Sequence, residues 1–161
     1  MADPLWTDVA HDVDPGLMGP LPNPRVPRTS VADLQILLDL VGERPWKCRY
    51  SEGATVPPVP RADAVFARPA HAECAELRVR PSPDVLAIFR FQAAEEIDFD
   101  VDLRELQGPD RLDLFCRFLR DIGRRLGRPV LMDPEGDHCR PVLGFDVAAD
   151  RGVLLADPPA G

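Results

Sequence analysis

The apolar residues of this chain change period twice, and that change constrains the fold more than any other feature. Val31, Leu34, Leu37, Leu38 and Val41 recur at helical spacing. From Trp46 to Leu103 the apolar positions fall mostly on every second residue, as in half-buried strands. Leu112, Phe115, Cys116, Leu119, Ile122 and Leu126 then return to helical spacing, and shorter strand-like runs follow. Strands grouped between helices, without a helix after each strand, exclude a doubly wound parallel sheet. The expected fold is α+β, a mostly antiparallel sheet of about six to eight strands with two main helices.

Local signals set the boundaries. Ser30 suits an N-cap, Asp33 stands three residues on as in a capping box, and Gly42 can end that helix in the left-handed conformation. The second helix reads from "GPDRLDLFCRFLRDIGRRLGRP": Pro109 fits the first helical position, and Asp110 fits the positive end of the dipole. Arg120, Arg124 and Arg125 lie toward its negative end, and Gly127 stops it. Strands are expected at 46–50, where Trp46, Cys48 and Tyr50 alternate with Lys47 and Arg49, and at 64–67, 75–80, 85–91 and 96–103. Three more follow at 129–133, 141–147 and 153–156, the last two as a hairpin. Residues 1–28 carry prolines at 4, 15, 20, 22, 24 and 27 without a sustained period. They read as an extended or disordered arm, with Trp6, Leu17 and Met18 either folded back on the domain or forming a docking motif. Residues 29–161 read as one domain.

Charge bears on function. The net charge of -8 opposes general nucleic-acid binding, because a polyphosphate is repelled overall, and it suits a basic partner. Lys47 is the one lysine among 19 basic residues. The excess of acid is concentrated: residues 94–107 hold six carboxylates and one arginine. Within "AEEIDFDVDL", Glu96, Asp98, Asp100 and Asp102 occupy every second position, with Ile97, Phe99, Val101 and Leu103 between them. In a strand such residues line one face, roughly 6.5–7 Å apart. Folding does not require a row of like charges. It is read as a solvated face that guards against edge pairing, as carboxylate ligands of a divalent metal in a nuclease for which Lys47 is the one candidate lysine, or as a docking surface that speeds encounter with a cationic partner.

Other constellations are incomplete. "HAEC" at 71–74 has the His-Ala-Glu order of zinc deaminases but no Pro-Cys-x-x-Cys follows it. His71, Cys74, His138 and Cys139 could be drawn as a zinc set, yet adjacent ligands such as His138 and Cys139 rarely both reach one ion. "MDPEGDH" lacks the ligand ladder of a calcium loop. The arginines at 117, 120, 124, 125 and 128 could hold a phosphate or form a wet helix face with Asp113–Arg117 and Asp121–Arg125 pairs. A glycine-rich phosphate loop, a serine elbow and a dinucleotide fingerprint are all missing. No catalytic residue, metal or cofactor is expected. No apolar run approaches the ~18 residues that span a bilayer, so no membrane partner is expected. The acidic opening "MADPLWTDVAHDVDP" lacks the order of a signal peptide. A cytoplasmic protein with reduced cysteines is therefore expected.

The order of a capped first helix, a run of strands, "FLRDIGRRLGRPV" and a final hairpin resembles the small α+β immunity proteins of bacterial polymorphic-toxin systems, over residues 29–157. That resemblance implies a stoichiometric inhibitor of a cognate toxin. The leading expectation is a non-enzymatic binding protein that occludes a basic toxin or enzyme through Glu96, Asp98, Asp100 and Asp102. The alternatives are a cytoplasmic secretion chaperone or adaptor that holds a partner segment, and a metal-dependent hydrolase or deaminase.

Overall fold

The computed structural model describes residues 23–69, 71–133, 143–146 and 151–154. In chain order the elements are β1 (Asn23–Pro27), α1 (Val31–Glu43), β2 (Lys47–Glu52), the short α2 (Ala62–Phe66), β3 (Ala75–Ser82), β4 (Val85–Arg90) and β5 (Glu96–Val101). A single 3-10 turn (Leu103–Glu105), α3 (Pro109–Leu126), β6 (Val130–Asp133), β7 (Leu143–Asp146) and β8 (Arg151–Leu154) complete it. The strands form one antiparallel sheet in the order β2-β3-β4-β5-β1-β6-β7-β8. The fold is α+β, as the change of period predicts.

The two long helices begin and end as their sequences dictate. Ser30 Oγ accepts from the Asp33 N–H, and the Asp33 carboxylate accepts from the Ser30 N–H at 2.9 Å, a reciprocal cap. Gly42 does not end α1; the helix continues through Glu43, and Pro45 two residues beyond stops it from going further. Pro109 opens α3, and Gly127 closes it at φ 64° in the left-handed region.

Two expected boundaries change. The proline-rich stretch is not an arm as far as residue 28, because Asn23–Pro27 is a strand inside the sheet, between β5 and β6. Proline cannot donate to a ladder, but β1 is shared between staggered neighbours. Pro24 pairs only with Met132 of β6, and Pro27 pairs only with Glu96 of β5. Pro24 and Val26 point into the core while Arg25 stays half-exposed, so the alternation was present in "NPRVP" beneath the prolines. Trp6, Leu17 and Met18, like the rest of 1–22, lie outside the described residues. The second change is "AVFA", expected as a strand, whose first three residues belong to α2 and whose Ala67 caps it. Ala62 and Val65 are its buried pair, a helical spacing that a short apolar run cannot distinguish from a strand.

Among the described residues the buried strand side chains lie on one side of the sheet, among them Val26, Tyr50, Leu77, Val79, Ala87, Phe89, Ile97, Phe99, Val101, Val130, Met132 and Phe145. They form a single core with Leu34, Leu37, Leu40 and Val41 of α1 and Leu112, Phe115, Leu119 and Ile122 of α3. Phe118 of α3 stands edge-on to three rings, with centroids 5.1 Å from Trp46, 6.4 Å from Phe89 and 5.6 Å from Phe99. Gly123 lets β7 approach the helix, since a Cβ there would lie 2.1 Å from Phe145. Arginines clamp the helix pair together. Arg125 of α3 reaches Glu43 of α1 at 2.6 Å, Arg44 reaches Asp121 at 3.6 Å, and Arg128 reaches Asp33 at 3.2 Å. Arg125 and Asp121 therefore pair across the helices and not with each other along α3.

Candidate functional site

With α1 and α3 on the same side, the opposite face of the sheet is left without a covering helix among the described residues. Strand periodicity decides what that face presents. The residues between the buried ones are Lys47 and Arg49 of β2, Glu76, Arg78 and Arg80 of β3, and Leu86, Ile88 and Arg90 of β4. Glu96, Asp98 and Asp100 of β5, Arg25 of β1 and Leu131 of β6 continue the face.

The alternating acidic segment is strand β5, and Glu96, Asp98 and Asp100 do share this face. Asp102 follows the strand, next to the 3-10 turn. The molecule's own guanidinium groups engage this row. Arg90 of the adjacent strand binds Asp100. Arg104 forks onto Asp102, its Nε 2.9 Å from Oδ1 and its terminal nitrogen 2.7 Å from Oδ2. That fork holds the Asp102 carboxyl below the usual carboxylate range, against the opposing effect of burial. Arg25 of β1 stands directly across from Asp98. Glu96 is exposed and makes no ion pair among the described residues. Three of the four carboxylates expected to meet a partner thus share one face, and Asp100 and Asp102 are held by Arg90 and Arg104.

The charge that lacks such an answer is positive. In the β2–β3 pairing Lys47 faces Arg80 and Arg49 faces Arg78. Like charges directly opposite on one face of a sheet repel and are destabilising. Among the described residues only Glu76 moderates them, bound by Arg78 Nε at 2.8 Å and approached by Arg90 at 3.8 Å. Lys47 and Arg49 are exposed and make no ion pair among the described residues. These cations, with Cys48 and the half-buried Leu86, line a shallow concavity of about 240 Å³. Nothing in the acid count along the sequence marks this cluster. "WKCRY" and "ELRVR" show its halves, each with cations on every second residue, and only the register brings them together.

Beneath this edge Tyr50 is fully buried and donates to Glu52 Oε2 at 2.8 Å, which Arg68 also binds at 2.9 Å. Burial, reinforced by the Glu52 carboxylate, pushes the Tyr50 phenol well above its ordinary range. Cys48, expected to point inward beside Tyr50, is exposed near the start of β2, which is an edge strand among the described residues.

The other constellations do not assemble into sites. His71 and Cys74 are both exposed, and His138 and Cys139 lie outside the described residues, as does most of "MDPEGDH". Among the described residues no group of three His, Cys, Asp or Glu side chains is placed to hold a metal ion. Of the α3 arginines, Arg125 and Arg128 are bound by carboxylates of α1, and Arg117 donates to the Asp113 carbonyl. Among the described residues no helix is long and apolar enough to cross a membrane. Comparison of the chain with protein-family models, curated proteins and solved structures gives no match.

Proposed function

We propose that this chain is a non-enzymatic protein-binding module, an immunity-type inhibitor that meets its partner with the open face of its sheet. The observation that supports this reading is the segregation of the layers. Both long helices pack on one face, while the other face carries charge in zones, with cations on β2 and β3 and carboxylates on β5. Such a face suits electrostatic recognition of a protein surface, which sets register and excludes wrong partners. A basic partner meets the end near Glu96. Arg90 and Arg104 reduce what Asp100 and Asp102 add to that attraction, since a partner cation would have to displace them. The surface is broad and shallow, unlike the enclosed apolar pockets that hold small substrates.

The test is titration of the purified chain against the product of the adjacent reading frame. A saturable one-to-one complex that abolishes that product's activity is the expected result. A chain that forms no complex, or that itself turns over a substrate, overturns the reading.

A further inference from the structure

The β2–β3 cations raise a question that solubility does not answer. Arginine or lysine on an edge strand deters pairing with another copy of the chain, and this accounts for Lys47 and Arg49. It does not account for Arg78 and Arg80, one strand further in, placed directly across from them. The arrangement opposes folding locally and is held within a chain of net charge -8.

The edge has backbone groups to offer as well. Among the described residues β2 pairs with β3 alone. The Glu52 N–H turns to the far side, donating to the Thr55 carbonyl at 2.9 Å. Alternation along the strand then aims the backbone groups of Cys48 and Tyr50 toward that same open side, while those of Lys47 and Arg49 face β3. A strand added there would bond to Cys48 and Tyr50 and set its own side chains beside Lys47 and Arg49 at the strand spacing of ~6.5–7 Å.

We propose that β2 captures an extended acidic segment of a partner protein, which adds to the sheet as a strand with its carboxylates over Lys47, Arg49, Arg78 and Arg80. This rests on the protein-binding reading above and specifies the partner's chemistry at one end of the face. The segment has acidic residues at every second position and uncharged ones between, the same alternation that β5 displays. Leu86, on the floor of the concavity, meets the aliphatic parts of the acidic side chains. A polynucleotide fits less well: its phosphates would run on from the cations toward Asp98 and Asp100, whereas a short acidic segment ends within the patch. A self-pair across β2 would bring Lys47 and Arg49 of two copies together, so a second copy is not the occupant.

The probe is a short fluorescent peptide alternating Asp with Val, mixed with the full chain. We expect saturable binding that weakens with added salt, slowed amide exchange at Cys48 and Tyr50, and about tenfold or greater loss of affinity in the Lys47→Glu, Arg49→Glu double variant. Overturning results are no binding, equal binding of an Asn–Val counterpart, undiminished binding to the double variant, or tighter binding of a single-stranded oligonucleotide or of pyrophosphate. The melting temperature of the double variant separates lost binding from lost folding. Failure here is also distinct from failure of the wider reading. A double variant that still inhibits the adjacent gene product as well as the parent chain removes this site and leaves the inhibitor intact. A parent chain that inhibits nothing removes the wider reading itself.

Discussion

Strand β5 and the β2–β3 pair follow the same rule, charge on one face and apolar side chains on the other, yet they end in opposite electrostatic states. β5 lies in the interior of the sheet, so its carboxylates have a neighbour on each side. β4 supplies Arg90 to Asp100, and β1 places Arg25 across from Asp98. β2 lies at the edge among the described residues, and its neighbour β3 sets charges of the same sign opposite it, Arg78 across from Arg49 and Arg80 across from Lys47. The segment with the most charge in sequence is therefore largely answered in space. A less charged segment is left with its repulsion. Register, more than the number of like charges along a segment, decides which charge a sheet presents.

The largest expected effect tests whether these two regions belong to one cooperative unit. Phe118 touches both, through Trp46 just before β2 and through Phe99 of β5. Phe118→Ala should cost about 3–5 kcal/mol, as large-to-small changes in well-packed cores do. Amide exchange should then accelerate in β2 and in β5 together. Faster exchange in one strand alone would show that the two regions are separate folding units, and the comparison between them would lose its meaning.

Titration separates the regions by pH. Burial holds the Tyr50 phenol neutral and raises its folded pKa above the unfolded value of about 10. Its contribution to stability is complete below that pH and declines as pH rises toward the raised folded value. Denaturant melts of Tyr50→Phe should lack this alkaline decline. Asp102 behaves in the opposite way. Its folded pKa is depressed by Arg104, so its contribution is complete above about pH 4 and is lost as pH falls through the folded value. Asp102→Asn should therefore narrow its stability gap from the parent chain in acid. A gap that widens in acid would contradict the Arg104 pairing.

Smaller still is the effect of unpairing β5. Asp100→Asn leaves Arg90 with only its longer contact to Glu76 on the open face and should destabilise by a few tenths to about 1 kcal/mol, the range for partly exposed ion pairs. A variant more stable than the parent would place Asp100 among the repelling charges, contrary to its contact with Arg90.

The sequence was most legible where signals repeat. The two long helices, the capping box at Ser30 and the inward set of β5 follow from period and from cap chemistry over many residues. Isolated signals misled. Gly42 did not end its helix, because Pro45 sets the limit; "AVFA" was too short to fix a period; and the prolines at 24 and 27 hid a strand whose donors the stagger makes dispensable. At the candidate site, the face that carries Glu96, Asp98 and Asp100 could be read from alternation. Their arginine partners could not, because a cross-strand neighbour depends on the pairing of segments far apart in sequence. Lys47 and Arg80 are separated in the same way. No local pattern in "WKCRY" or "ELRVR" reports that the two will meet.

The most direct measurement is the melting temperature of Lys47→Glu and of Arg49→Glu, each compared with the parent chain at low and at high salt. Each substitution turns a repelling pair into an attracting one, with Arg80 or with Arg78. Both variants should melt higher at low salt, by the equivalent of a few tenths to about 1 kcal/mol, and the gain should shrink as salt screens the charges. Melting points that fall at low salt would mean that these cations already serve the fold, and the β2–β3 cluster would no longer stand as a surface kept for a partner.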